Sequence, residues 1–376
     1  MSYDLLLRGG TVIDPSQGLH APRDVAISGD AIAAVAEQIP ESQAARVVNV
    51  TGKLVTPGLI DAHCHVFYGV GIGCIADTDC LLRGTTTVVE GGAPGTGSFA
   101  GFRKYVAEPS RTRVFAEVNL STVGMVDLKW SEFAAFNHVD VDAAIRCVEE
   151  NRDIVIGIKL RVSAPIVGGN PFLYLKAARQ AADAAGTKLV VHIGESVASV
   201  PEILPYFKAG DMLVHCFTGR RHGILDGKGH VHDAVWGAHE AGVLFDSSSG
   251  GNHFSFDVTR KAIEQGFLPD IISTDITMPT AKDPRFHMPL MMTRHLALGM
   301  TMDQVVQAST VNPARALDRV PKLGTLQVGA PADVTVLDLE EGEWLLPDTE
   351  GQEMTVTRRF EPALTVLKGS VVREPN

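Results

Sequence analysis

Between residues 55 and 322 the chain alternates short apolar runs with segments whose apolar residues recur every three or four positions. TTTVVEGG and RVFAEVNLST read as buried strands, because a strand covered on both faces has no polar side to show. Further along, VDAAIRCVEENRD is helical and leads to DIVIGIKLRV, and FLYLKAARQAADAAG leads to TKLVVHIGES. VPEILPYFKAG leads to DMLVHCFTG, HDAVWGAHEAG to VLFDSSSGG, and DVTRKAIEQGFLP to DIISTDI. Counting from LIDAHCH gives eight strand candidates. Strands alternating with helices predict an α/β fold with a parallel sheet, and eight such units predict a (β/α)8 TIM barrel with its active site at the C-terminal strand ends.

The two ends of the chain follow a different pattern. DLLLRGGTVID, DVAISGDAIAAVA and RVVNVTGKLV at the start, and GTLQVGAPADVTVLDL, VTRRFEPALTVLKG and SVVRE at the finish, are short strand-like segments broken at Gly or Pro. They predict a small β-sandwich domain built from both termini, with residues 1–54 and 323–376 flanking a barrel over 55–322.

Composition narrows the function classes. With 45% hydrophobic and 20% charged residues, the 376-residue chain has the make-up of an ordinary folded soluble protein. Its 33 Lys plus Arg against 44 Asp plus Glu give a formal charge of -11, which repels phosphate backbones and anionic lipid. Nucleic acid and membrane are therefore not expected partners; a small-molecule substrate is. No stretch approaches the roughly 18 apolar residues of a spanning helix, and MSYDLLLRGG lacks the features of a secretory leader, so the expected compartment is the cytoplasm. Five cysteines without regular spacing read as reduced core thiols. Trp130, Trp236, Trp344 and the segment MPLMMTRHLALGM read as core or interface packing.

Polar residues then mark the strand ends. LVTPGLIDAHCHVFYG ends an apolar run with His63 and His65; His192 sits in VVHIG, His215 in LVHCF and Asp275 in ISTDI, while Lys159 lies inside IVIGIKLRV. Singly, each has a bland explanation: a satisfied core histidine, a turn-capping aspartate, a snorkelling lysine. Together they are harder to dismiss. Residues two apart on a strand share a face, so His63 and His65 point into one space and Cys64 points away, and Gly157, Lys159 and Arg161 likewise share a side. Imidazole and carboxylate suit a borderline divalent ion such as zinc, and four His with one Asp exceed the needs of one tetrahedral ion. Two ions roughly 3.5 to 4 Å apart can share a hydroxide and polarise a carbonyl, which suggests hydrolysis of an amide or ester.

These residues resemble the amidohydrolase superfamily, whose metal-dependent members carry His-x-His on the first barrel strand, Lys on the fourth, His on the fifth and sixth, and Asp on the eighth. PGLIDAHCH and GAPADVTVLD are also typical of that family. The resemblance implies that His63, His65 and Asp275 hold a buried metal, His192 and His215 a more exposed one, and that a carboxylated Lys159 bridges them. It also implies a catalytic role for Asp275, taking the proton of the bridging hydroxide and passing it to the leaving group.

Within the superfamily, GIKLRVS, VHIGES, HCFTG and SFDVTRKAIEQGFLPDIISTD are similar to a dihydroorotase-like group of deacetylases, some of which act on N-acyl amino acids or acetylated 2-hydroxy acids. Dihydroorotases usually place an Arg shortly after His-x-His, whereas Val66, Phe67 and Tyr68 stand there. Two segments depart from the deacetylase pattern: SSSGG where Gly-His-Gly is expected, and ITMPT where His-Gly is expected. Arg161 is a candidate for holding a substrate carboxylate bidentately, against the plainer reading of a rim ion pair. Ser249, His253, Arg220 and Arg221 are further loop candidates. A cyclic amidase of the hydantoinase or dihydroorotase kind and a catalytically inactive barrel scaffold are the competing readings, and the resemblance allows a homo-oligomer.

Overall fold

Two sheets organise the chain in the computed structural model, which describes residues 2–127 and 129–374. The N-terminal strands are β1 (Tyr3–Asp14), β2 (Leu19–Ser28), β3 (Ala31–Ala36), β4 (Ala44–Asn49) and β5 (Leu54–Pro57). Next come β6 (Leu59–Cys64), β7 (Thr85–Glu90), β8 (Arg113–Asn119), β9 (Val155–Arg161), β10 (Lys188–His192), β11 (Met212–Val214) and β12 (Leu244–Asp246). The chain finishes with β13 (Val334–Pro347), β14 (Glu353–Leu367) and β15 (Ser370–Arg373).

The terminal strands join one mixed sheet in the order β15-β14-β13-β5-β1-β2-β3, with β4 paired to β1. Its centre is the antiparallel register of β5 on β13, from Leu54 opposite Leu337 to Pro57 opposite Val334. Residues from both ends of the chain, among them Leu7, Val12, Val55, Val334 and Leu364, share its apolar core.

Strands β6 to β12 form a curled sheet in chain order, with every neighbouring pair parallel. Helices at Val141–Glu150, Pro171–Ala185, Asp233–Glu240 and Phe256–Glu264 lie where the sequence predicts them. Their ends are chemically marked: Asp140 accepts from the Ala143 amide at the start of the first, and Gly186 closes the second in the left-handed region at φ 60°. VPEILPYFKAG yields only two short turns, Val200–Ile203 and Leu204–Tyr206, because Pro205 has no amide hydrogen to donate.

The eighth strand candidate, DIISTDI, differs from expectation, since it makes only an isolated parallel bridge, Asp246 to Ile271. Its backbone donors go elsewhere. The Ile272 amide donates to the Ala308 carbonyl, and the Thr274 amide to the Asp61 carboxylate at 3.0 Å. The segment still spans the gap between the sheet's two edge strands. On one side the Ser247 amide reaches Ile271, and on the other the Asp275 amide donates to His63 at 2.7 Å.

All five cysteines are free and buried, and Cys64 turns away from the histidines into an apolar cluster with Cys74 and Cys80. Met288, Met291, Met292 and Met300 pack into the core as expected. Trp130 does not: it is 72% exposed.

Candidate metal centre

At the C-terminal ends of the curled sheet, side chains from widely separated segments converge on a cavity of about 420 Å³. His63 and His65 arrive from β6 and the residue beyond it, Lys159 and Arg161 from β9, His192 from β10, and Asp275 from the eighth segment. A larger cleft of about 720 Å³ runs beside it past Phe67, Tyr68 and Tyr105, but it holds no cluster of imidazoles and carboxylates. Chemistry, and not size, identifies the site.

Two donor groups form. The ligand atoms of His63, His65 and Asp275 lie within 4.8 Å of one another, and so do those of His192, His215 and His253. The rings of His63 and His215 stand 5.3 Å apart edge to face, so the two groups adjoin. His215 (φ 66°) and Asp275 (φ 50°) both occupy the left-handed region that side chains disfavour, a strain typical of positions whose geometry matters.

The first group is anchored by acids. Asp275 Oδ1 lies 3.3 Å from His65 Nε2 and 3.8 Å from His63 Nε2. On the far side of the His65 ring, Nδ1 meets Glu90 Oε1 at 3.1 Å, and Glu90 also accepts from the amides of Val66, Phe67 and Ala93. Burial opposes the charged form of His65, yet its bonds to Asp275 and Glu90 outweigh burial and push its pKa up to about 9. Burial would also raise Asp275, but the His65 hydrogen bond and the nearby His215 hold it below the usual carboxylate value. His63 is driven well below its usual value by burial and by the Lys159 cation.

Lys159 is buried, its amine 3.2 and 3.3 Å from the two His63 nitrogens and 3.3 Å from Glu117 Oε2. Glu117 is itself fully buried, and burial raises its pKa against the pull of Lys159. A lysine in such a place needs an anionic partner. Glu117 and Glu90 escaped the sequence reading, though each is the one acid of a buried strand, and that was the available signal.

The second group has no carboxylate among its donors. Burial, together with neighbouring imidazoles, lowers His192 and His215 well below the usual histidine value, and burial also lowers His253. His215 Nδ1 is oriented by the Ser248 carbonyl at 2.7 Å. His253 Nδ1 is buried with no hydrogen-bond partner.

The remaining candidates separate. Arg161 lines the cavity and is gripped by Glu132 through two bonds of 2.7 Å, from Nε and Nη2. Ser249 is fully buried, its hydroxyl unpartnered, and it does not line the cavity wall. Arg220 lies 3.5 Å from Glu195, while Arg221 is exposed. The donor set fits divalent ions: five imidazoles and one carboxylate, in two groups of three.

Residues 54–372 match the amidohydrolase family. The chain belongs to that family. Among curated amidohydrolase relatives, a deacetylase of Agrobacterium fabrum is 32% identical over 352 residues, covering 93% of this chain and 86% of that protein. A deacetylase of Enterococcus faecalis is 31% identical over 375 residues, with 99% of both chains covered. Among solved structures, an adenine deaminase superposes with a TM-score of 0.91 at 30% identity over 99% of this chain and 100% of its own. A dihydroorotase gives 0.87 at 30% identity over 99% of each. The protein is thus a metal-dependent amidohydrolase acting on amide bonds. No helix among the described residues is long and apolar enough to cross a membrane.

Proposed function

We propose that this amidohydrolase removes an acetyl group from a small N-acyl amino acid or an acetylated 2-hydroxy acid, cleaving an amide or ester bond. The observation that carries the reading is the convergence of His63, His65, Asp275, His192, His253 and Arg161 on one cavity of about 420 Å³, with His215 packed against His63 and His192. His63, His65 and Asp275 would hold one divalent ion, zinc being suited to the donors, and His192 and His215 a second, with a carboxylated Lys159 shared between them. Bound ions would supply Lewis acidity toward the acyl carbonyl and make water a nucleophile near neutral pH. Asp275, held ionised beside His65, takes a proton from the attacking water and returns it to the leaving nitrogen or oxygen. Glu132 occupies Nε and Nη2 of Arg161, which leaves Nη1 for a substrate carboxylate. Ile72, Met125 and Phe286 form an apolar wall that excludes bulk water from the acyl group. This reading treats the curled sheet, spanned by Ile271–Asp275, as the (β/α)8 barrel over 55–322. The terminal sheet would be the β-sandwich domain of 1–54 and 323–376. The similarity to deacetylases over nearly the whole chain supports the substrate class.

A cyclic amidase is the second reading, favoured by the dihydroorotase structure at 30% identity. Zinc-loaded protein assayed on N-acetyl amino acids, acetylated 2-hydroxy acids, dihydroorotate, hydantoin and adenine separates them. Turnover of the acetylated acids is expected; turnover of a ring substrate alone would replace the deacetylase reading. No turnover of any of them by folded, metal-loaded protein would favour the inactive scaffold.

A further inference from the structure

The family resemblance implies two histidines, His192 and His215, for the more exposed ion. We propose that His253 is a third protein ligand of that ion, so that it is held by three imidazoles. The proposal rests on the metal-dependent reading above and concerns a loop where this chain carries SSSGGNHF.

Three independent observations point the same way. The first is placement: the His253 ring centroid lies 4.2 Å from that of His215 and 4.9 Å from that of His192. The second is an orphan, because His253 Nδ1 is buried without a hydrogen-bond partner. Leaving such a group unpaired is destabilising. The third is room made for the ring. A Cβ on Gly194, whose φ is +136°, would come within 2.9 Å of His253 Cε1 and 3.0 Å of Nδ1. The same device backs residues of the first donor group and the lysine beside it: Gly91 would clash with His63 at 2.8 Å, Gly92 with Lys159, and Gly250 with Asp275.

The backbone around His253 is held at several points. Its amide donates to the Ser249 carbonyl at 3.3 Å, and the next residue, Phe254, is fully buried and joined to Thr349 at the β13–β14 turn by three hydrogen bonds. Ser255 then caps the Phe256–Glu264 helix. Lys159, which the family resemblance makes the shared ligand, has its amine against His63 and Glu117, on the side of the first group. Catalytic zinc characteristically takes three protein ligands and keeps a fourth position open, and His192, His215 and His253 supply three without any modified side chain.

The test is zinc binding to the full-length chain after chelator treatment, measured by competition with a chromophoric chelator, for wild type, His253→Ala and His253→Gln. Circular dichroism melts identify any variant that fails to fold, and Gln keeps the bulk of the ring if Ala does not fold. Wild type is expected to bind two equivalents, with one of them weakened by about tenfold or more in each folded variant. Lys159→Met is expected to keep one equivalent that His253→Ala, added to it, releases. If both His253 variants bind two equivalents at wild-type affinity, whatever happens to turnover, His253 is not a ligand and the hydrolase reading stands. If wild type binds a single equivalent that depends on His63 but not on His253, the inference also falls. Wild type that binds no zinc overturns both.

Discussion

The two halves of the site solve the same problem by different means. Around His63 and His65 the charge is balanced inside the protein: Asp275 faces both rings, Glu90 backs His65, and Glu117 faces Lys159. Around His192, His215 and His253 there is no acid among the donors, and burial lowers the pKa of all three imidazoles. The first half can be ordered before an ion arrives, because Glu90 is already hydrogen-bonded to His65 and to three backbone amides. The three-imidazole cluster keeps one buried nitrogen, His253 Nδ1, without a partner. The first half should therefore govern proton chemistry and the second the exchange of metal.

Asp275→Asn attacks that division most severely. It should lower kcat/KM on the acetylated substrate by about 10²–10⁴-fold, because the amide cannot accept the water's proton. Retention of more than half of the activity would remove Asp275 from the proton path. Next in size, Glu117→Gln leaves the Lys159 amine buried without a carboxylate, and urea unfolding of metal-free protein should show a loss of about 3–5 kcal/mol. An unchanged midpoint would mean that Glu117 does not balance Lys159. Glu90→Gln releases the hold on His65 Nδ1 and should weaken zinc by about 10–100-fold, read by chelator competition. Weakening confined to the ion that depends on His253 would invert the comparison between the halves.

A further effect concerns pH. Asp246 is fully buried, accepts from the Ser273 hydroxyl at 2.7 Å and from the Ser248 amide at 3.1 Å, and thereby steadies the carbonyl that orients His215. Burial raises its pKa from 3.8 to about 8, with those hydrogen bonds opposing. The folded state thus keeps the proton longer than the unfolded one. This contribution to stability is fully present below pH 3.8 and is lost as pH rises toward about 8. Asp246→Asn should flatten the fall of the unfolding midpoint across that window, and equal slopes for the two proteins would contradict it.

Much of this arrangement was legible in the order of residues. Period-two logic puts His63 and His65 on one face and Cys64 on the other, and it places Lys159 and Arg161 together on the cavity wall. Seven of the eight strand candidates form strands of the curled sheet. The eighth could not be judged from its own pattern, because its amides are taken by Asp61 and Ala308, partners far away in the chain. His253 was visible only as a loop histidine, since loop sequence does not tell which strand ends a ring will meet. Arg161 carries both of its readings at once: it is ion-paired to Glu132 and it still lines the cavity.

The hydrogen bond from Thr274 to Asp61 joins residues 213 positions apart in the chain. At synthesis rates of about 5–20 residues per second, the first two histidines emerge roughly 10–40 s before the aspartate that completes their group. A nascent chain therefore exposes His63, Cys64 and His65 to the ions of its surroundings with neither Asp275 nor β12 to close over them. The group of His63, His65 and Asp275 is therefore complete only once that last segment has docked.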